Sequence, residues 1–134
     1  MLPPIVDRFI AGESVADALD HVRDCNADDI GVILNILGEH YHDPAKVRND
    51  ADAYIGLLES LTAAGVDGCL SVKPSQLGLE VSEDCFRETL GRVVAAAAER
   101  DRVVWIDMED ASTTDATLDA YETYAREFDG AVGV

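Results

Sequence analysis

The sequence predicts an α/β fold, the first half of a (β/α)8 barrel in which parallel strands alternate with helices, and three observations predict it. Short apolar runs rich in branched residues alternate with stretches of helical periodicity along the chain. Such alternation favours a parallel sheet of βα units over a bundle or a sandwich. Ionisable residues close three of the runs, Glu39, Lys73 and Asp107, and successive members stand 34 residues apart. Eight units of that period need about 270 residues, the size of a whole barrel, so this chain supplies roughly half. Two-helix repeats share the period, but a strand run in every unit excludes them.

The chain is expected to be one partial domain over residues 1–134, with an N-terminal helix at 14–25 and strands near 30–37, 68–72, 102–107 and 131–134, the last cut short. Residues 1–4 make an extended start. Ser14 is an N-cap with Asp17 three residues on, and Val15, Ala18, Leu19, Val22 and Cys25 form a helical stripe that the polar residues 26–29 end. Residues 30–37 form an almost unbroken apolar run, as in a strand covered on both faces. Asp43 followed by Pro44 starts the second helix, whose stripe is Val47, Ala51, Tyr54, Ile55, Leu58 and Leu61, and Gly65 stops it. Ser82 caps a third helix with Phe86, Leu90, Val93, Val94 and Ala97 inward. Thr113 or Thr114 starts a fourth, with Leu118, Tyr121, Ala125 and Phe128 on one side.

The chain carries 27 acidic against 10 basic residues and a formal charge of -17, which argues against nucleic acid or an anionic membrane surface as partner. The acids are spread over every segment, as in a surface adapted to a salt-rich cytoplasm. Cys25, Cys69 and Cys85 form no Cys-x-x-Cys pair and read as small buried side chains. No signal-peptide pattern opens the chain and no apolar run reaches the roughly 20 residues of a spanning helix, so the expected location is the cytoplasm.

Barrels of this kind keep their chemistry at the C-terminal ends of the strands. Lys73 would project into the mouth there, as a fixed cation for a carboxylate or phosphate. Asp107 and Glu109 alternate onto one side of the third strand and could face the barrel axis as paired carboxylates, and Glu39 has the same strand-end placement. His40 and His42 form a His-x-His pair after the first strand, the competing signal for a metal site. Asp43 starts the next helix at once, which favours a loop role for both. No glycine-rich phosphate loop is present, and Gly38 and Gly78 read as turns.

Four blocks, Arg8-Phe9-Ile10-Ala11-Gly12, Leu37-Gly38-Glu39-His40-Tyr41, Ser71-Val72-Lys73-Pro74-Ser75-Gln76-Leu77-Gly78 and Trp105-Ile106-Asp107-Met108-Glu109-Asp110, resemble the proline dehydrogenase family in content and order. The acidic surface resembles its salt-adapted archaeal members. The resemblance implies a distorted barrel that binds FAD, oxidises L-proline to pyrroline-5-carboxylate by hydride transfer to the flavin and passes electrons to a quinone or other acceptor. It implies that Lys73 helps hold the proline carboxylate and that Asp107 orders the pocket, with Glu39 and Glu109 at substrate-binding positions. The family's paired arginines and most flavin contacts belong to a second half that these residues do not include. The chain is thus expected to be an inactive N-terminal fragment, or a half-barrel that pairs with itself or with a second half. The full-length enzyme could be peripheral to a membrane. Two alternatives stand beside this: a metal-dependent amidohydrolase-like half-barrel using His40 and His42, and a non-catalytic binding module.

Overall fold

The computed structural model describes residues 10–134; the start at residues 1–4 and the Arg8-Phe9 pair lie outside them. The first helix, α1 (Val15–Ala27), is capped by the Ser14 side chain, which accepts from the Asp17 N–H. Strand β1 (Val32–Leu34) follows, and then α2 (Pro44–Ala64), which Asp43 caps. Gly65 ends α2 in the left-handed conformation at φ 64, which a residue without a Cβ adopts freely. Strand β2 (Gly68–Val72) leads to α3 (Glu83–Ala98), capped by Ser82, and β3 (Val104–Ile106) to a 3-10 turn (Ala111–Thr113) and α4 (Thr114–Glu127). The described chain closes on β4 (Val132–Gly133).

The strands form one parallel sheet in the order β1-β2-β3-β4, with Val32 opposite Gly68, Leu70 opposite Val104, and Val104 opposite Val132. The core lies between the sheet and the helices. Leu34, Leu70, Val72, Val104 and Ile106 point into it from the strands, to meet Tyr54, Leu58 and Leu61 of α2 and Phe86, Leu90 and Val94 of α3. The neighbouring strand positions face the other way, where Ile33 is 57% and Trp105 43% exposed. The burial pattern of β1 therefore alternates, because the helices cover only one face of this sheet. This is the arrangement of a partial (β/α)8 barrel.

Several elements differ from expectation. β1 is shorter than residues 30–37 because side chains replace its ladder: the Ile36 N–H donates to the Tyr54 hydroxyl at 3.2 Å, and Asn35 Nδ2 donates to the Ser71 carbonyl at 3.0 Å. Leu37, beyond that break, is 82% exposed. The third and fourth strands are also shorter than 102–107 and 131–134. Arg102 is drawn out of β3 by its guanidinium, which donates to Thr62 Oγ1 and to the Val66 and Gly68 carbonyls. On α4 the fully inward positions are Thr117 and Ala120, while Leu118 is exposed, so the buried face is rotated from the expected stripe. On α1 only Val22 is buried. The three cysteines are free thiols of intermediate exposure, not buried ones.

Candidate functional site at the strand ends

The carboxyl ends of β1, β2 and β3 bring Glu39, Lys73, Asp107 and Glu109 to one rim, because the parallel registers align the three strands. Lys73 Nζ donates to Glu39 Oε2 at 2.7 Å. That bond, with the attraction behind it, holds the Glu39 carboxyl below its ordinary range and the Lys73 ammonium above its own. Glu109 and Asp107 add their fields to the Lys73 ammonium, while its partial burial acts the other way.

Asp107 and Glu109 both act on the Lys73 ammonium, from different surroundings. Asp107 continues the sheet through its N–H, which donates to the Val72 carbonyl at 2.9 Å, and its residue is exposed. Glu109 turns instead toward the loop after β2. Its Oε2 accepts from the Ser75 N–H and its Oε1 from the Ser75 hydroxyl, both at 2.8 Å.

His40 and His42 share a single carboxylate. His40 Nδ1 lies 2.5 Å from Glu80 Oε1 and His42 Nε2 3.3 Å from Glu80 Oε2. Among the described residues, no group of three or more His, Cys, Asp or Glu side chains could hold a metal ion. The hydrogen bond to Glu80, then its charge, raises the His40 pKa above the ordinary histidine range.

Under the rim lies a buried polar cluster that charge and spacing did not reveal. The Tyr54 hydroxyl donates to Gln76 Oε1 at 3.0 Å and accepts from Asn35 Nδ2 and the Ile36 N–H, each at 3.2 Å. Gln76 Nε2 donates to the Ile36 carbonyl at 3.1 Å and to Asp50 Oδ2 at 2.7 Å. A Cβ on Gly38 would stand 2.8 Å from Gln76 Nε2 and press on the Tyr41 hydroxyl, so glycine is required just before Glu39. Ser75, Gln76 and Tyr54 are neutral, and a search for ionisable strand-end groups passes over them. The available signal was a serine and a glutamine directly after the Lys73-Pro74 turn.

A family model described as proline dehydrogenase matches residues 18–134. The chain belongs to the proline dehydrogenase family. It is 36% identical over 127 residues to the proline dehydrogenase of Deinococcus radiodurans, a match that covers 92% of this chain and 41% of that protein. With proline dehydrogenase 1 of Bacillus subtilis strain 168 the identity is 27% over 122 residues, covering 91% of this chain and 40% of the relative. The chain thus spans about two fifths of the length of these curated relatives. Among solved structures, proline utilization A from Bdellovibrio bacteriovorus inactivated by N-propargylglycine superposes with a TM-score of 0.79 at 20% identity, over 92% of this chain and 15% of that one. Proline utilization A from Bradyrhizobium japonicum gives a TM-score of 0.67 at 20% identity, over 92% of this chain and 14% of that one. These likenesses carry the fold, a partial barrel. Among the described residues, no helix is long and apolar enough to cross a membrane.

Proposed function

We propose that this chain forms the substrate-carboxylate side of a proline dehydrogenase site, in which L-proline is oxidised to pyrroline-5-carboxylate. The observation that carries the reading is the strand-end ammonium of Lys73, held at the rim by Glu39 at 2.7 Å in a chain of this family. A carboxylate entering the mouth would compete with Glu39 for that cation, and so be oriented by it. Asp107, exposed one position beyond β3, would order the substrate pocket, and Glu39 would remain beside the bound ligand. The substrate loses a hydride from the ring carbon next to nitrogen and a proton from its amine.

FAD supplies the hydride acceptor in this reaction, and the rim described above does not fit its diphosphate. Glu39, Asp107 and Glu109 are acids, and Lys73 is already paired. On this reading the flavin contacts lie in the part of the relatives' length that this chain does not span. The remaining strands of the barrel would cover the open face around Ile33 and Trp105. A quinone or similar acceptor, a cytoplasmic location with peripheral membrane attachment, and adaptation to a salt-rich cell complete the proposal. Its test is to combine the 134-residue chain with a polypeptide carrying the later strands and helices of a relative, and to follow flavin absorbance and proline-dependent dye reduction. Turnover that disappears with Lys73→Met through a large rise in KM, at unchanged flavin content, supports it. Turnover that ignores Lys73→Met removes this residue from the site.

A further inference from the structure

Ser75 is 4% exposed and is bonded through every polar group it has. Its N–H and hydroxyl donate to the two Glu109 oxygens, both at 2.8 Å. Its hydroxyl oxygen accepts from the His40 N–H at 3.1 Å, and its carbonyl accepts from the Tyr41 N–H at 3.0 Å. One residue, through its side chain and its two backbone polar groups, thereby joins the loops that follow β1, β2 and β3. The joined segments hold the charged pair: Lys73 stands two residues before Ser75, and Glu39 one before His40.

His40 is itself strained, with φ 56. A residue with a Cβ keeps this left-handed conformation only where its surroundings over-determine it, and such strain gathers at functional sites. Here the N–H groups of His40 and of the residue after it both end on Ser75, and the His40 ring is tied to Glu80. Both Glu109 oxygens accept from Ser75, which fixes this carboxylate against the loop after β2.

We propose that Ser75 and Glu109 are positioning residues of the strand-end site: Glu109 locks Ser75, and Ser75 holds the His40 turn that sets Glu39 against Lys73. This deepens the proline-oxidising reading and rests on it for the use made of Lys73. The positioning itself concerns only residues of this chain and is measured without turnover.

The test uses the labelled 134-residue chain as wild type, Ser75→Ala and Glu109→Gln, followed by amide hydrogen exchange at His40 and by carbon NMR titration of the Lys73 side chain. Ser75→Ala removes no charge, so a fall of the Lys73 midpoint toward the ordinary lysine value reports a changed placement of the carboxylates around it, Glu39 first among them. That fall is expected, together with exchange at His40 faster by about tenfold or more, while amides in the middle of α3 stay as in wild type. Glu109→Gln keeps one acceptor for Ser75 and should accelerate His40 exchange by a smaller factor. A folded Ser75→Ala chain with unchanged Lys73 titration and unchanged His40 exchange overturns the proposal. If Ser75→Ala does not fold, His40 exchange in Glu109→Gln decides alone, and a wild-type rate there overturns it. In the completed enzyme the Ser75→Ala variant should lose about tenfold in kcat/KM. A completed wild-type enzyme that never oxidises proline would sink the reading of Lys73 while leaving the exchange and titration results to stand by themselves.

Discussion

Replacing Tyr54 by Phe removes one oxygen and nothing else from a site where that oxygen is hard to replace. The side chain is fully buried, and burial pushes the phenol pKa far above its ordinary range, so the group stays neutral and a donor. Its loss leaves the Ile36 N–H and Gln76 Oε1 each without a partner that now sits at 3.2 and 3.0 Å. Asn35 Nδ2 is less affected, since it also donates to the Ser71 carbonyl. A buried polar group left unsatisfied costs about 1–3 kcal/mol; the Gln76 bond is buried and the Ile36 bond part-buried, so the loss falls in the lower part of the range for two groups, about 2–4 kcal/mol. For a domain of this size that lowers Tm by roughly 10 °C. Urea denaturation of wild type and Tyr54→Phe, with Tyr124→Phe as reference, measures it. The Tyr124 hydroxyl serves a single acceptor, the Arg87 carbonyl, in a part-buried position, and its removal should cost about 1 kcal/mol. Equal losses for the two variants, or a Tyr54→Phe loss below about 0.5 kcal/mol, would refute the idea that the hydroxyl organises the rim from beneath.

Gly91 packs against the same Tyr124, whose Cζ lies 2.7 Å from where a Cβ would be; Gly91→Ala should therefore destabilise by about 1–2 kcal/mol despite the helix-propensity gain, and a more stable variant would contradict that packing. The raised His40 pKa means that its ion pair with Glu80 stabilises the fold below about pH 6.5, the ordinary histidine value, and fades as pH rises through the higher folded value. The stability difference between wild type and Glu80→Gln should accordingly be larger at pH 6 than at pH 9, with the His40 ring titrating lower in the variant; a difference that is flat or grows with pH would reverse the assignment. With a formal charge of -17, Tm should rise between low and molar potassium chloride, as screening shortens the reach of repulsion to about 3 Å at 1 M. A flat Tm would remove the support for a salt-adapted surface.

The sequence made the βα alternation legible because each strand run and each helix stripe has its own period, and the caps at Ser14, Asp43 and Ser82 are local signals that form as written. The rim was legible through regular spacing, which parallel register converts into proximity: Glu39 and Lys73 are 34 residues apart and in contact. What stayed hidden was set by groups that carry no periodic or ionic signature. The early end of β1 depends on the Tyr54 hydroxyl, which in the sequence is one more member of an apolar stripe. The anchoring of Glu109 depends on Ser75, a neutral residue on another strand's loop. The inward face of α4 carries Thr117 and Ala120, whose small side chains give no apolar stripe in the sequence.

Many of the side-chain bonds that link corresponding parts of successive βα units have nearly one reach. Asn26 bonds Asp67 across 41 residues, His40 bonds Ser75 across 35, and Ser75 bonds Glu109 and Arg102 bonds Gly68 across 34. Each spans one βα unit to its immediate neighbour, so the molecule is energetically close to a one-dimensional stack, in which stability accumulates by nearest-neighbour terms. During synthesis at about 5–20 residues per second, each unit waits a few seconds for the next before its strand-end clamp can close. The order of assembly is thereby written into the spacing: Glu39 can meet Lys73 before Glu109 has been made, and the lock on Ser75 is the later of the two to form.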